Sequence, residues 1–246
     1  MTVVVHVTSC LNTALQDIMG SAYLHRLMTM ANARDECVFK YGPNADPRLL
    51  LYRHVETLEA DPDLLQECQR ILQKTVDKLE SEYSIPLFAR RISFNIVYLQ
   101  RCEQHKAMEM GANFTLGTTM FLRPITTEVE YWKRNVAHEG VHILQRMFPA
   151  SFHSYYLQRY ETRVVDIKVV DRIFRNQNEI LIDNPDCSIT DSTQYRVGKE
   201  GLIVFYTRDL QKALFNGYTG EFLGWKEMFN DLHHPHEMFA EEVEQF

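Results

Sequence analysis

The segment that most constrains the fold is an amphipathic helix predicted for residues 127–147, which contains the sequence HEGVH. On a wheel of about 100° per residue counted from Val129, His138 lies at about 180° and His142 at about 220°. One side of the helix therefore packs on a core, and the opposite side presents two imidazoles one turn apart. The apolar positions recur every three or four residues, at Val129, Trp132, Val136, Gly140, Ile143 and Met147.

The remaining sequence predicts an α+β fold that is rich in helix and has a small mixed sheet. Asp61 and Pro62 have the residue types of a helix start, and Thr127 with Glu130 has the spacing of a capping box. Alternating or continuous apolar runs predict the strands. Expected strands are residues 3–7, 91–99, one or two within 112–124, and 201–207; expected helices are 11–33, 62–83, 127–147, 152–176 and 209–215.

The composition is that of an ordinary folded chain. With 246 residues, of which 45% are hydrophobic, it can bury a large core. The turn-rich segment at residues 41–47 predicts an N-terminal appendage, residues 1–60, followed by a larger domain, residues 61–246, that contains HEGVH. A formal net charge of −7 and the absence of Lys or Arg runs argue against a nucleic-acid or anionic-membrane partner.

The N-terminus and the cysteines favour a cytoplasmic protein. The first 20 residues predict a strand and a helix, not a secretory signal, because they lack a basic region and Asp17 interrupts the apolar run. No stretch approaches the ~18 apolar residues of a membrane span. The five cysteines are widely scattered without a CxxC pair, which favours reduced thiols over disulfides.

The spacing of His138, Glu139 and His142 matches HExxH. Zinc binds imidazole nitrogens and carboxylate oxygens tetrahedrally, and a catalytic site keeps one position for water. The histidines supply two ligands, and Glu139 lies beside them as a general base. A solvated helix face would explain the same residues without a metal. The longer pattern HExxHxxGxxH is absent, since Gln145 and Phe148 occupy the places of its glycine and third histidine.

A third ligand is needed, and the sequence leaves three alternatives. Glu161 lies on the next predicted helix, and Glu237 lies near the C-terminus, where His236 precedes it. We prefer Glu237, because Glu241 follows one turn later and would accept a hydrogen bond from a ligand histidine. The expected site is therefore Zn²⁺ held by His138, His142 and Glu237.

The order of a strand at residues 91–99, a strand near 119–123, the HEGVH helix and a later ExxxE helix resembles zincin metallopeptidases of the gluzincin type, such as thermolysin. The segment PHEMFAEEVEQF is similar to the glutamate helix of peptidases related to anthrax lethal factor. The resemblance covers residues 62–148 and 230–246 and leaves 1–60 and 150–230 unmatched. It implies a zincin-like domain that hydrolyses peptide bonds in a protein or peptide substrate.

Gluzincin catalysis also uses a Tyr or His to stabilise the oxyanion, and Tyr218 and His234 are the candidates. In size and layout the chain also resembles small HExxH proteins of tailed phages. The alternative function is therefore a non-catalytic structural protein on a zincin fold, virion-associated and part of a larger assembly. Glu139 favours chemistry, because a structural zinc has no use for a base beside its ligand. Hydrolysis of a non-peptide amide is a third possibility.

Overall fold

Helices and strands are mixed along the chain, as expected of an α+β fold. The structure, a computed structural model, describes residues 3–20, 55–102, 113–123, 129–160, 162–176, 181–182, 195–196, 201–207, 212–226 and 235–245. In these ranges the strands are β1 (Val4–Thr8), β2 (Val55–Glu59), β3 (Arg91–Cys102), β4 (Phe114–Leu116), β5 (Thr119–Leu122), β6 (Arg163–Val164), β7 (Leu181–Ile182), β8 (Tyr195–Arg196), β9 (Leu202–Thr207), β10 (Lys212–Asn216) and β11 (Phe222–Lys226). The helices are α1 (Leu11–Gly20), α2 (Pro62–Ser81), α3 (Val129–Met147), α4 (Pro149–Arg159), α5 (Ile167–Asn176) and α6 (Pro235–Val243).

The central sheet has five strands, and the long strand β3 is in its middle. β1 and β5 run parallel to β3, whereas β2 pairs antiparallel with the second half of β3. β4 pairs antiparallel with β5 and lies at the edge of the sheet. The sheet is therefore mixed, and helix α3 packs beside its β4–β5 end.

Residues 1–60 do not form a separate appendage where the structure describes them. β1 and β2 are strands of the central sheet, and the side chains of Val3, Val5 and Val7 belong to the same hydrophobic core as α2 and α3. The parallel pairing of β1 with β3 joins residues far apart in the chain, which local turn signals at residues 41–47 cannot reveal. Residues 21–54, including most of the predicted helix at 11–33, lie outside the described residues.

Helix α2 begins as its sequence predicts and supports α3. The Asp61 side chain accepts a hydrogen bond from the Leu64 backbone N–H at 2.9 Å, with Pro62 as the first helical residue. The face of α2 that includes Leu72 is buried. A Cβ at Gly140 of α3 would overlap the Leu72 side chain, so the missing side chain at Gly140 allows the two helices to approach closely.

The helix predicted at residues 152–176 is two helices. α4 ends near Tyr160, and α5 starts again after Asp166, whose side chain accepts a hydrogen bond from the Lys168 N–H at 2.9 Å. The strand β6 lies between them and pairs with β8. The β-branched residues around β6 favour this extended break, and Asp166 begins the new helix much as a capping residue does.

The helix predicted at residues 209–215 is wrong, because residues 212–216 form strand β10. β10 pairs antiparallel with β9 on one side and with β11 on the other, and β7 completes a four-stranded antiparallel sheet. Helix α5 and the buried side chains of this sheet share a second core: Val165, Val169, Val170, Ile173, Ile203, Phe205, Ala213 and Phe215. Among the described residues, every helix is too short or too polar to cross a bilayer.

Candidate metal centre

The C-terminal helix α6 brings Glu237 to the two histidines of α3. Phe239 and Ala240 of α6 are fully buried in the main core, and the small Ala240 side chain permits close packing. The far end of α6 is held by Lys78 of α2, whose Nζ donates to the carbonyl oxygens of Val243 at 3.0 Å and Gln245 at 2.7 Å. A cation at this end of a helix also interacts favourably with the helix dipole.

Three ligand-type side chains converge between α3 and α6. The Nε2 atoms of His138 and His142 are 3.1 Å apart. Oε2 of Glu237 lies 3.2 Å from His138 Nε2, and its Oε1 lies 3.4 Å from His142 Nε2. Within the described residues, His138, His142 and Glu237 form the one group of three or more metal-ligating side chains close enough to share an ion.

The tautomer of His142 follows from its neighbour Gln145. The amide nitrogen of Gln145 lies 3.0 Å from the backbone carbonyl oxygen of His236, which can only accept a hydrogen bond. The amide oxygen must therefore face His142, whose Nδ1 lies 2.8 Å away. An amide oxygen only accepts, so His142 Nδ1 carries a proton and the Nε2 of the neutral ring presents a lone pair.

His138 has the same arrangement with a charged partner. Its Nδ1 lies 2.9 Å from Oε2 of Glu244, the residue that follows α6 by one position. A carboxylate accepts the Nδ1 proton and leaves the Nε2 lone pair of the neutral ring pointing towards His142 and Glu237. The neutral form of each ring therefore has the tautomer that a metal ligand requires, because an oxygen acceptor lies behind it.

These three acceptor atoms attract positive charge. Burial lowers the pKa of His138, but its hydrogen bonds with Glu237 and Glu244 outweigh burial, so its pKa lies well above the ordinary histidine value. Burial raises the pKa of Glu237, but the charge that His142 carries when protonated and the hydrogen bond with His138 outweigh it, so that pKa lies well below its usual range. A proton and a metal cation thus compete for the same three atoms.

The donor set and its spacing fit a zinc ion. Two atoms bound tetrahedrally at zinc–nitrogen distances of about 2.0–2.1 Å lie about 3.3 Å from each other. The two Nε2 atoms are 3.1 Å apart, and the Glu237 carboxylate lies 3.2 Å from His138 Nε2 through Oε2 and 3.4 Å from His142 Nε2 through Oε1, so each pairwise distance is close to that value. Two imidazoles and one carboxylate are also the ligand types of catalytic zinc sites, which leave the fourth position for water. The residues therefore fit zinc in type, tautomer and spacing.

Glu139 lies next to the candidate ligand His138 on α3 and is 5% exposed. Its carboxylate is close enough to His138 to raise the pKa of that ring. A carboxylate of low exposure beside the ligand atoms is suited to moving a proton.

Two hydrogen-bond partners differ from those that the sequence predicts. Glu241, predicted to accept from a ligand histidine, is exposed, and Glu244 occupies that position instead. His236, the alternative ligand, is 2% exposed and its Nδ1 contacts the Tyr156 hydroxyl at 2.9 Å, so it lies behind the site.

Of the two predicted oxyanion donors, only Tyr218 lies within the described residues. Tyr218 is 64% exposed in the turn between β10 and β11, and its ring stacks against the Arg196 guanidinium at 4.2 Å. Arg196 is in β8, so the described ring contact of Tyr218 is with the β6–β8 pair and not with α3 or α6. His234 and the alternative ligand Glu161 lie outside the described residues.

Sequence reasoning missed Gln145 and Glu244. Gln145 follows His142 by three residues, so a helix places its side chain near the ring. Glu244 follows Glu237 by seven residues, which is two helical turns and the same face. Both spacings are visible in the sequence. The pairing of each acceptor with its imidazole ring, however, depends on how α6 crosses α3.

No family model matches the chain, and no curated protein or solved structure is detectably similar to it.

Proposed function

We propose that the chain is a zinc-dependent peptidase, with Zn²⁺ held by His138, His142 and Glu237. The observation that carries the proposal is the convergence of these three side chains with both Nδ1 atoms bonded to oxygen acceptors. Such an arrangement brings two ring nitrogens and a carboxylate together at low exposure, where a proton or a metal cation stabilises them. The intact HExxH sequence supplies the base that catalysis needs.

We also propose that the α+β fold is zincin-like. Helix α3 carries HExxH and lies beside the central sheet, and α6 supplies the glutamate from later in the chain. Arg146 of α3 donates to the Gly117 carbonyl oxygen between β4 and β5, through Nη2 at 2.9 Å and Nε at 3.1 Å. These bonds fix the helix against the antiparallel edge of the sheet.

Zinc at this position would polarise a substrate carbonyl and lower the pKa of water. Glu139 is the residue that would accept a proton from the attacking water and deliver it to the leaving amine nitrogen. His138 and His142 would keep their protons on Nδ1, donated to the oxygens of Glu244 and Gln145, so that their Nε2 atoms stay available as ligands. The reaction expected from these roles is hydrolysis of a peptide bond.

The test is Glu139→Gln, which keeps the shape of the side chain and removes its basicity. We expect the zinc content to equal that of the wild type and cleavage of casein to fall by about 10²-fold or more. Glu130→Gln is the matched control, because Glu130 is on the same helix, exposed and paired with Lys133. Its activity should be unchanged.

Two results would contradict the proposal. A wild-type protein without zinc would show that the three side chains bind no zinc ion. A wild-type protein with full zinc and no cleavage of casein or of a varied peptide mixture would favour the structural alternative, in which the zincin-like fold is not a peptidase.

A further inference from the structure

A buried chain of hydrogen bonds joins the ligand His142 to the residue before the ligand Glu237. We propose that Gln145, at the centre of this chain, is a positioning residue that fixes the geometry of both ligands through one amide group. The inference rests on the proposed zinc site, since it concerns how that site is held together. It adds a residue that HExxH and its glutamate do not include.

The direction of each hydrogen bond is determined by chemistry. The His236 carbonyl oxygen can only accept, so Gln145 presents its amide nitrogen there, at 3.0 Å. The same nitrogen donates to the Tyr156 hydroxyl oxygen at 2.9 Å. The Tyr156 hydroxyl then donates its own proton to His236 Nδ1 at 2.9 Å. The opposite end of the Gln145 amide accepts from His142 Nδ1 at 2.8 Å.

Burial makes this arrangement unique. The exposed fractions are 0% for His142, 1% for Gln145, 0% for Tyr156 and 2% for His236. Water has little access to replace a lost bond, and an unsatisfied buried polar group costs about 1–3 kcal/mol. Reversing the amide would place its oxygen against the His236 carbonyl oxygen, and two acceptors cannot form a hydrogen bond. One orientation of the amide is therefore strongly favoured.

The chain connects three helices at the site. Gln145 belongs to α3, Tyr156 to α4 and His236 to α6. The Tyr156 ring also packs edge-on against the His236 ring, with centroids 5.1 Å apart, and lies 5.9 Å from the Phe239 ring. Because His236 precedes Glu237, the bond from Gln145 to its carbonyl holds the backbone that carries the third ligand. One amide thus sets the tautomer of His142 and the position of Glu237.

Two variants separate these contributions. Gln145→Met has a similar volume and loses every hydrogen bond of the amide. Gln145→Glu keeps an acceptor for His142 but, when ionised, cannot donate to Tyr156 or to the His236 carbonyl. Gln73→Met is the matched control, because Gln73 of α2 also bridges two groups, accepting from the Val5 N–H and donating to the Val3 carbonyl, both at 2.9 Å.

Zinc affinity is measured by competition with a chromophoric chelator, and imidazole tautomers by long-range ¹H–¹⁵N spectra of the zinc-free proteins. We expect Gln145→Met and Gln145→Glu to bind zinc about 10–100-fold more weakly than wild type. In Gln145→Met the His142 ring should become a mixture of tautomers, whereas Gln145→Glu should keep the proton on Nδ1. Gln73→Met should retain wild-type affinity and tautomers.

The inference is overturned if Gln145→Met binds zinc within about threefold of the wild type, or if Gln73→Met loses as much affinity. It is also overturned if the His142 tautomer is the same in all variants. Should Gln145→Met fail to fold, Tyr156→Phe provides the second measurement, with an expected loss of roughly threefold. A wild type that binds no zinc would refute the proposed function, while the tautomer spectra would still decide the role of Gln145.

Discussion

The two histidines of the site are one turn apart on the same helix, yet their surroundings differ. The His142 side chain is fully buried, and its Nδ1 proton is accepted by the neutral amide of Gln145. The His138 side chain is 16% exposed, and its Nδ1 proton is accepted by the carboxylate of Glu244, which is 26% exposed. The buried side of the site is therefore neutral, and the side nearer solvent carries the charge.

This difference follows from the cost of burying ions. A carboxylate in the position of Gln145 would lose its hydration and find two groups beside it that require a donor. Glu244 keeps partial contact with water, so its charge costs less there. The neutral Gln145 amide can thus fix the geometry of the buried His142. The Glu244 carboxylate can increase the basicity of His138, which lies nearer the solvent. The exposure of His138 also indicates from which side water reaches the three ligand atoms.

The largest expected effects come from removing each histidine. His142→Ala and His138→Ala should both purify without zinc, because either change leaves two ligands. They should differ in the stability of the chelator-treated protein. His142→Ala leaves a buried space and a Gln145 oxygen without its donor, which should lower the free energy of unfolding by about 2–4 kcal/mol. His138→Ala should lower it by about 1 kcal/mol or less.

Zinc analysis of the purified proteins and urea unfolding after chelation measure these two effects. Wild-type protein treated with chelator is the reference for both variants. Equal losses of stability would show that the two sides do not differ as their burial indicates. Zinc retained at the wild-type level in either variant would remove that histidine from the ligand set.

Replacing the Glu244 carboxylate by an amide should give His138 a neutral hydrogen-bond acceptor, as His142 already has in Gln145. Glu244→Gln should weaken zinc binding by about 10-fold at high pH. It also replaces a charge-assisted hydrogen bond that raises the pKa of His138 by a weaker neutral one. Because protonated His138 excludes zinc, wild-type affinity falls as the pH drops through that raised pKa. In Glu244→Gln the fall should therefore occur at a lower pH.

Glu241→Gln is the control, since Glu241 is exposed on the same helix and was the residue that the sequence favoured. Zinc titrations across a pH series compare both variants with the wild type. If Glu241→Gln shifts the pH dependence and Glu244→Gln does not, the structural assignment of the acceptor is wrong.

The sequence predicted the parts of the site that depend on local spacing. His138, Glu139 and His142 lie on one helix because i and i+4 positions share a face, and Asp61 with Pro62 marked the start of α2 correctly. The choice of Glu237 is consistent with its helix, whose apolar residues Phe239 and Ala240 face the core.

The choice between Glu241 and Glu244 depended on more than spacing. Positions four and seven residues after Glu237 lie about 40° and about 20° from it on a helical wheel. Both are on one face, and the crossing of α6 over α3 decides between them. This crossing is set by contacts between distant parts of the chain, which periodicity does not encode.

The second sheet was harder to predict for the same reason. The sequence KALFN of β10 contains residues that favour a helix, but β9 and β11 pair with it and Phe215 packs into the second core. Partners on both sides override the weak local preference of a five-residue segment. Local sequence patterns were therefore most predictive where the functional residues lie on a single helix, as in α3.

The smallest expected effect tests how Lys78 positions the segment that contains Glu244. Lys78 donates to two carbonyl oxygens at the end of α6, beside Glu244. Lys78→Met should lower the free energy of unfolding by about 1 kcal/mol, as expected for a cation at a helix C-terminus. If that loss appears as fraying of the segment with Glu244, zinc affinity should fall by up to about fivefold.

Lys74→Met is the matched control, because Lys74 is exposed one turn earlier on α2. Chemical unfolding and zinc competition measure both variants, and only Lys78→Met should change either quantity. Amide hydrogen exchange distinguishes the two sides of the site: protection should fall at residues 243–245 and stay unchanged at Gln145. An equal loss of protection at Gln145 and at Glu244 would show that the segments around both residues open together. The surroundings of His138 and His142 would then form one cooperative unit and not two.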